Sequence, residues 1–260
     1  MIKTTQDRIE EIKKNGYTLD FGNVFNHAFE NYKKIAVYGG LIFFVFAIVM
    51  SLLALVVLFS IFDAETVLEK LKPENLQPEN LSLDSMLIFS GVSLLITCLL
   101  SPFSAGLIKM AYCAERDDEF HVSTMFEYYK APYFKELFIA TFLITIVNSI
   151  LSGILNYIQI PVLEVVFSVT IALFTILMIP LIIFGKLKAV EAIQASIVIV
   201  SKQPLVILGL LVIGVIASLV GFIGCCIGIV FTIPFMYSLY YALYSEIIGF
   251  DPETEVENRN

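Results

Sequence analysis

Six apolar stretches, at residues 35–62, 86–109, 133–157, 162–184, 205–222 and 225–248, constrain this chain more than anything else in it. About 20 apolar residues, rising about 1.5 Å each as a helix, cross the roughly 30 Å hydrocarbon layer of a bilayer. No Asp, Glu, Lys or Arg falls near the middle of any stretch. A backbone inside lipid must satisfy its own polar groups, and uninterrupted apolar runs of this length do so as helices. The expected fold class is therefore all-α integral membrane, with six transmembrane helices arranged as three hairpins. A hydrophobic content of 58%, charged residues at 15% and a mean hydropathy of +0.86 lie far outside the range of a soluble globular domain.

Three regions follow. Residues 1–34 form a cytoplasmic amphipathic arm, residues 35–249 the six-helix membrane domain, and residues 250–260 an acidic cytoplasmic tail that reads as solvated and disordered. The first apolar run comes after some 34 polar and amphipathic residues with no small-residue cleavage site behind a short apolar core, so it is expected to serve as an uncleaved anchor.

Lysine and arginine positions set the expected orientation. The arm carries Lys3, Arg8, Lys13, Lys14, Lys33 and Lys34. The second loop with its span ends carries Lys109, Arg116, Lys130 and Lys135, the fourth Lys186, Lys188 and Lys202, and the tail Arg259. Only Lys70 and Lys72, in the first loop, fall on the other side. Fourteen of the 16 basic residues thus share one face, which predicts cytoplasmic termini. The net charge of −8 does not oppose this, because acidic residues contribute little to the rule. It also supplies no basic patch for nucleic acid.

A repeat underlies the hairpins. Asp20 is a good N-cap for a helix whose apolar residues are Phe21, Val24, Phe25, Ala28, Phe29 and Tyr32, which predicts an interfacial helix lying in the headgroup plane. Phe29-Glu-Asn-Tyr-Lys33 matches Phe126-Glu-Tyr-Tyr-Lys130, where Val122, Met125, Phe126 and Tyr129 make the stripe. Residues 188–202 form a weaker third copy with Val190, Ile193, Ile197 and Val200. Each hairpin is thus expected to follow an amphipathic interfacial helix, in a pseudo-threefold repeat. Pro132 and Pro204 start the following spans; the first copy has no such proline.

Each even-numbered span also holds a proline, at Pro102, Pro180 and Pro234. Such prolines remove a helical hydrogen bond, and Ser101, Ser104 and Thr232 are placed to satisfy the freed carbonyls. Two readings stay open: prolines common to membrane helices, or three kinks around a shared cytoplasm-facing cavity. The small residues Gly214, Ala217, Gly221, Gly224 and Gly228 predict close helix packing within the chain. The first loop, residues 63–85, repeats Pro-Glu-Asn-Leu at 73–76 and 78–81, as a surface insertion would.

Chemistry-bearing residues are scarce. Coupled transport usually leaves an ionisable residue inside a span, and none sits at mid-depth; Glu164 and Glu246 lie at span ends. Asn148 and Ser149 are the deep polar residues. Of the two histidines, His121 follows Glu115-Arg-Asp-Asp-Glu119, carboxylates expected to be solvated rather than metal-ligating. The four cysteines have no metal-type spacing. No catalytic, cofactor-binding or metal residue is assigned and no cofactor is expected. Asn148, Tyr237 and Tyr241, with Pro102, Pro180 and Pro234, are the candidates for a cavity or kink.

The aromatic lead-in Phe25-x-x-Ala-Phe-x-x-Tyr-Lys33, three hairpins and a late proline in the even spans resemble a bacterial group of six-span membrane proteins of unknown function. They also resemble the membrane domain of membrane-anchored glycerophosphodiester phosphodiesterases. The resemblance implies a fold and carries over no catalytic residue. Two functions stay open: a non-enzymatic scaffold or lipid-interacting module with membrane lipids as partners, or a small transporter or channel for a neutral or amphiphilic solute.

Overall fold

The computed structural model describes residues 4–61, 72, 83–224 and 227–250, and among these every regular element is helical. The Pro-Glu-Asn-Leu duplication, the Cys225-Cys226 pair and the acidic tail after Phe250 lie outside the described residues. In order the elements are α1 (Thr5–Asn15), α2 (Phe21–Ile61), α3 (Leu83–Glu115), α4 (Val122–Met125), a 3-10 turn (Glu127–Tyr129), α5 (Tyr133–Tyr157) and α6 (Pro161–Phe174). They continue as α7 (Met178–Ile183), α8 (Ala189–Val200), α9 (Pro204–Leu219), a 3-10 segment (Val220–Gly224), α10 (Ile227–Thr232) and α11 (Pro234–Ile247).

Five helices among the described residues are long and apolar enough to cross a membrane: Phe21–Val56, Ser90–Glu115, Tyr133–Tyr157, Pro161–Ile183 and Pro204–Phe222. The sixth apolar stretch is divided. Its helix stops at Thr232 and restarts at Pro234, whose nitrogen has no hydrogen to donate.

Lipid is the solvent that this surface fits. On α2, Leu41, Val45, Ile48, Leu52 and Val56 recur at helical spacing and are all exposed; on α5, Leu143, Val147, Ile150 and Ile154 do the same. Contiguous apolar stripes of that length would be an aggregation hazard in water and are ordinary facing acyl chains. Burial concentrates instead toward the lysine-rich end, where Leu107, Ile108, Tyr112, Leu137, Leu181, Ile182, Phe184, Tyr241 and Tyr244 are almost wholly enclosed. The broadest packing surfaces join α2 with α11 and α3 with α5. Gln203 Nε2 donates to the Tyr17 carbonyl at 3.0 Å and Lys202 Nζ to that of Lys13 at 2.9 Å, so α9 begins beside the amino-terminal arm.

The three lead-ins differ from expectation and from one another. Asp20 does cap α2, accepting from the Asn23 amide at 2.7 Å. The segment does not, however, form a separate in-plane helix: α2 runs unbroken for 41 residues from Phe21. At about 1.5 Å per residue it is about 60 Å long, so its first turns project beyond a hydrocarbon layer of roughly 30 Å. Lys33-Lys34-Ile35 contains nothing that stops a helix, whereas Pro132 and Pro204 do so in the other copies. In the second copy, one turn of α4 followed by a 3-10 turn buries Met125 and Tyr128, and leaves Val122 and Phe126 exposed. In the third, α8 packs through Ala189, Ala192, Ala195, Ser196, Ile199 and Val200, while Val190 and Ile197 face outward. Small residues let backbones approach where lipid removes the hydrophobic drive between helices, so the expected stripe is divided, with Val190 and Ile197 outward and Val200 packed within.

α1 is docked rather than free. Thr4 and Asp7 form a capping box, Gly16 ends the helix at φ 71°, Ile12 is buried, and Tyr17 Oη donates to the Ile199 carbonyl at 3.1 Å. The stripe of α2 also makes a graded prediction. Phe25 is half-buried and packs at 5.9 Å from the Phe235 ring, whereas Phe29 is 41% exposed. Phe25→Asp is expected to cost about 2 kcal/mol in detergent-solubilised unfolding and Phe29→Asp clearly less; equal effects would contradict this packing.

Candidate functional site

The three in-span prolines are all buried but occupy three local settings. Pro102 lies inside α3 without interrupting it, and Ser101 Oγ donates at 2.9 Å to the Cys98 carbonyl, the acceptor that Pro102 deprives of its partner. Pro180 belongs to α7, which restarts after a break at residues 175–177. Ser196 of α8 closes that break: its hydroxyl donates to the Phe174 carbonyl at 2.7 Å and accepts from the Leu177 amide at 3.3 Å. Pro234 opens α11, and Thr232 beside it donates to the Ser218 carbonyl at 2.6 Å.

Asn148 accepts from Ser168 Oγ at 3.2 Å, across the α5–α6 hairpin. Tyr237 lies 3.5 Å from Ser104 Oγ, and Tyr241 takes a hydrogen bond from Arg116 Nη1 at 2.9 Å. The candidate residues therefore have separate partners. A pocket of about 340 Å³ at the lysine-rich end is lined by Lys34, Ile35, Tyr38, Met110, Ala114, Phe120 and the carboxylates of Asp117, Asp118 and Glu119. None of the six candidates lines it.

A different constellation is assembled where α2, α3 and α11 meet. His27 of α2 stands between two carboxylates, with Nε2 at 2.7 Å from Glu115 of α3 and Nδ1 at 2.9 Å from Glu246 of α11. Asn31, one turn further along α2, reaches Glu115 at 3.4 Å, and the Tyr241 hydroxyl also bonds to Glu115. Arg116 lies 3.9 Å over the ring of Tyr112 and 4.7 Å over that of Phe250, and Lys109 lies 4.3 Å over Tyr112. Phe250 closes the group by packing within 5.1 to 5.8 Å of Tyr112, Phe184, Tyr241 and Tyr244. Tyr112 is fully buried here.

The electrostatics agree with the geometry. These residues of α2 and α3 project past the apolar part of their helices. The hydrogen bond to Glu115 raises the His27 pKa above its ordinary value, burial opposes that, and the bond to Glu246 adds to it. Burial pushes the Glu115 carboxyl up, but the hydrogen bonds from His27, Tyr241 and Asn31 outweigh it and bring the group down to about 2. The site sets a histidine ring between two carboxylates, with a guanidinium stacked on aromatic rings beside it.

Among the described residues no group of three or more His, Cys, Asp or Glu side chains is arranged to hold a metal ion. No protein-family model, curated protein or solved structure matches the chain.

Proposed function

We propose that this chain is a non-enzymatic, six-span protein of the bacterial cytoplasmic membrane, with both termini in the cytoplasm, acting as a scaffold or lipid-interacting module. The observation that carries the reading is where polarity goes. The exposed stripes along α2, α5 and α9 are apolar, while at the lysine-rich end His27 bonds to Glu115 and Glu246 and Arg116 to Tyr241.

Support for a sixth crossing comes from the pairing of His27 with Glu246, because the start of α2 and the end of α11 then share one end of the bundle. An even number of crossings requires that. The pseudo-threefold plan, and with it the likeness to the membrane domain of glycerophosphodiester phosphodiesterases, rests on the aromatic-lysine lead-ins and one buried proline per hairpin.

The test is the identity of what the protein carries. Extracted in membrane nanodiscs without detergent, it is expected to retain phospholipid and no water-soluble metabolite in stoichiometric amount. A stoichiometric small solute would overturn this reading in favour of a carrier.

A further inference from the structure

We propose that His27 is a proton-counting latch, which ties the last turn of α11 to α2 while its ring carries two protons and releases Glu246 when it carries one. The argument is one of donors. A carboxylate only accepts, and Glu115 and Glu246 each face one ring nitrogen. An imidazolium donates to both. A neutral imidazole has one N–H, so one of the two contacts must then oppose a bare nitrogen lone pair to a carboxylate.

The surroundings decide which contact is lost. Groups facing His27 are Asn31 on its own helix, Glu115 and Arg116 from α3, and Tyr241 and Glu246 from α11. Glu115 is the nearer, at 2.7 Å, and is also held by Tyr241 and Asn31. Glu246 is 40% exposed, and among the described residues its partner is His27 alone. The single proton of neutral His27 therefore stays with Glu115, and Glu246 turns to water. Four residues later Phe250 sits among Tyr112, Tyr241 and Tyr244, so release of Glu246 loosens the segment that covers these rings and Arg116.

The sign follows from the direction of the shift. A histidine whose pKa rises on folding contributes its full tether below its unfolded value, about 6.5, and loses it as pH rises through the higher folded value.

Amide hydrogen exchange of the full chain in nanodiscs reads the latch directly, after correction for the intrinsic pH dependence of exchange. Between about pH 6 and about pH 9, protection of residues 244–250 is expected to fall about tenfold relative to α3. Glu246→Gln abolishes that pH dependence, because an amide can donate to a bare nitrogen or accept from a protonated one. His27→Ala lowers protection at both pH values. Protection of wild type that does not change with pH overturns the latch, as does the same fall in Glu246→Gln.

Discussion

Gly221→Ala is expected to lower the stability of the purified protein by about 3 kcal/mol, at the upper end of the range for overpacking. The 3-10 segment containing Gly221 folds back on α10, and a Cβ at Gly221 would strike the backbone of Gly228 and Ile229. A Cβ at Gly228 would strike the Gly221 carbonyl oxygen in turn. Backbone atoms cannot swing aside as a flexible side chain can, so the last hairpin must separate to admit one methyl. Gly91 and Gly153 supply the control: both are helical, and a Cβ there meets nothing within 4 Å. Alanine at either is expected to be neutral or to stabilise by up to about 1 kcal/mol, since it removes glycine's entropic cost. Thermal and denaturant unfolding in detergent checks the contrast. An equal effect at 221 and 153 would refute the close approach.

Ser196→Ala is the second large effect, also about 3 kcal/mol. One buried hydroxyl serves both strands of a helix break, as donor to Phe174 and acceptor from Leu177. Around the break the Met178 amide turns to the Thr175 carbonyl and the Ile176 amide to that of Leu173, so neither orphan has a helical substitute. Each buried group left unsatisfied costs about 1–3 kcal/mol. Ser218→Ala is the matched control. Its hydroxyl donates to the Gly214 carbonyl four residues back within α9, an acceptor that also has its helical amide. That change is expected to cost under about 1 kcal/mol. Comparable losses at 196 and 218 would show that the break does not depend on Ser196.

Five apolar helices of spanning length were legible because lipid imposes length and apolarity together; Tyr133–Tyr157 has the boundaries that hydropathy alone assigns. Close packing through the small residues was legible too, and Gly221 with Gly228 makes the close approach. The first lead-in was misread as a separate in-plane helix because its apolar stripe does not reveal that the helix continues unbroken into the span. For Val190 and Ile197 the outside is as apolar as the inside, so periodicity cannot tell lipid from protein. The division of the last span at Ile233 is a consequence of Pro234 that a hydropathy window averages away.

The charged cluster was missed because its members lie far apart in the chain and each is unremarkable alone. His27 and Asn31, four apart, share a helix face, as do Tyr112, Glu115 and Arg116. Polar residues recurring at helical spacing just outside an apolar stretch were the available signal. Pairing them needed the neighbouring helix, and α11 is the neighbour of α2 through the fold rather than through the sequence.

The central claim is an even-spanned membrane protein with its lysine-rich end in the cytoplasm, and sidedness tests it most directly. Single-cysteine variants at Asn75, Ser123 and Asn260 are exposed in cells to a membrane-impermeant thiol reagent, before and after permeabilisation. Asn75→Cys is expected to react in intact cells, and Ser123→Cys and Asn260→Cys only once the membrane is opened. Labelling of Asn260→Cys from outside, with Ser123→Cys still protected, would mean an odd number of crossings and would contradict the account.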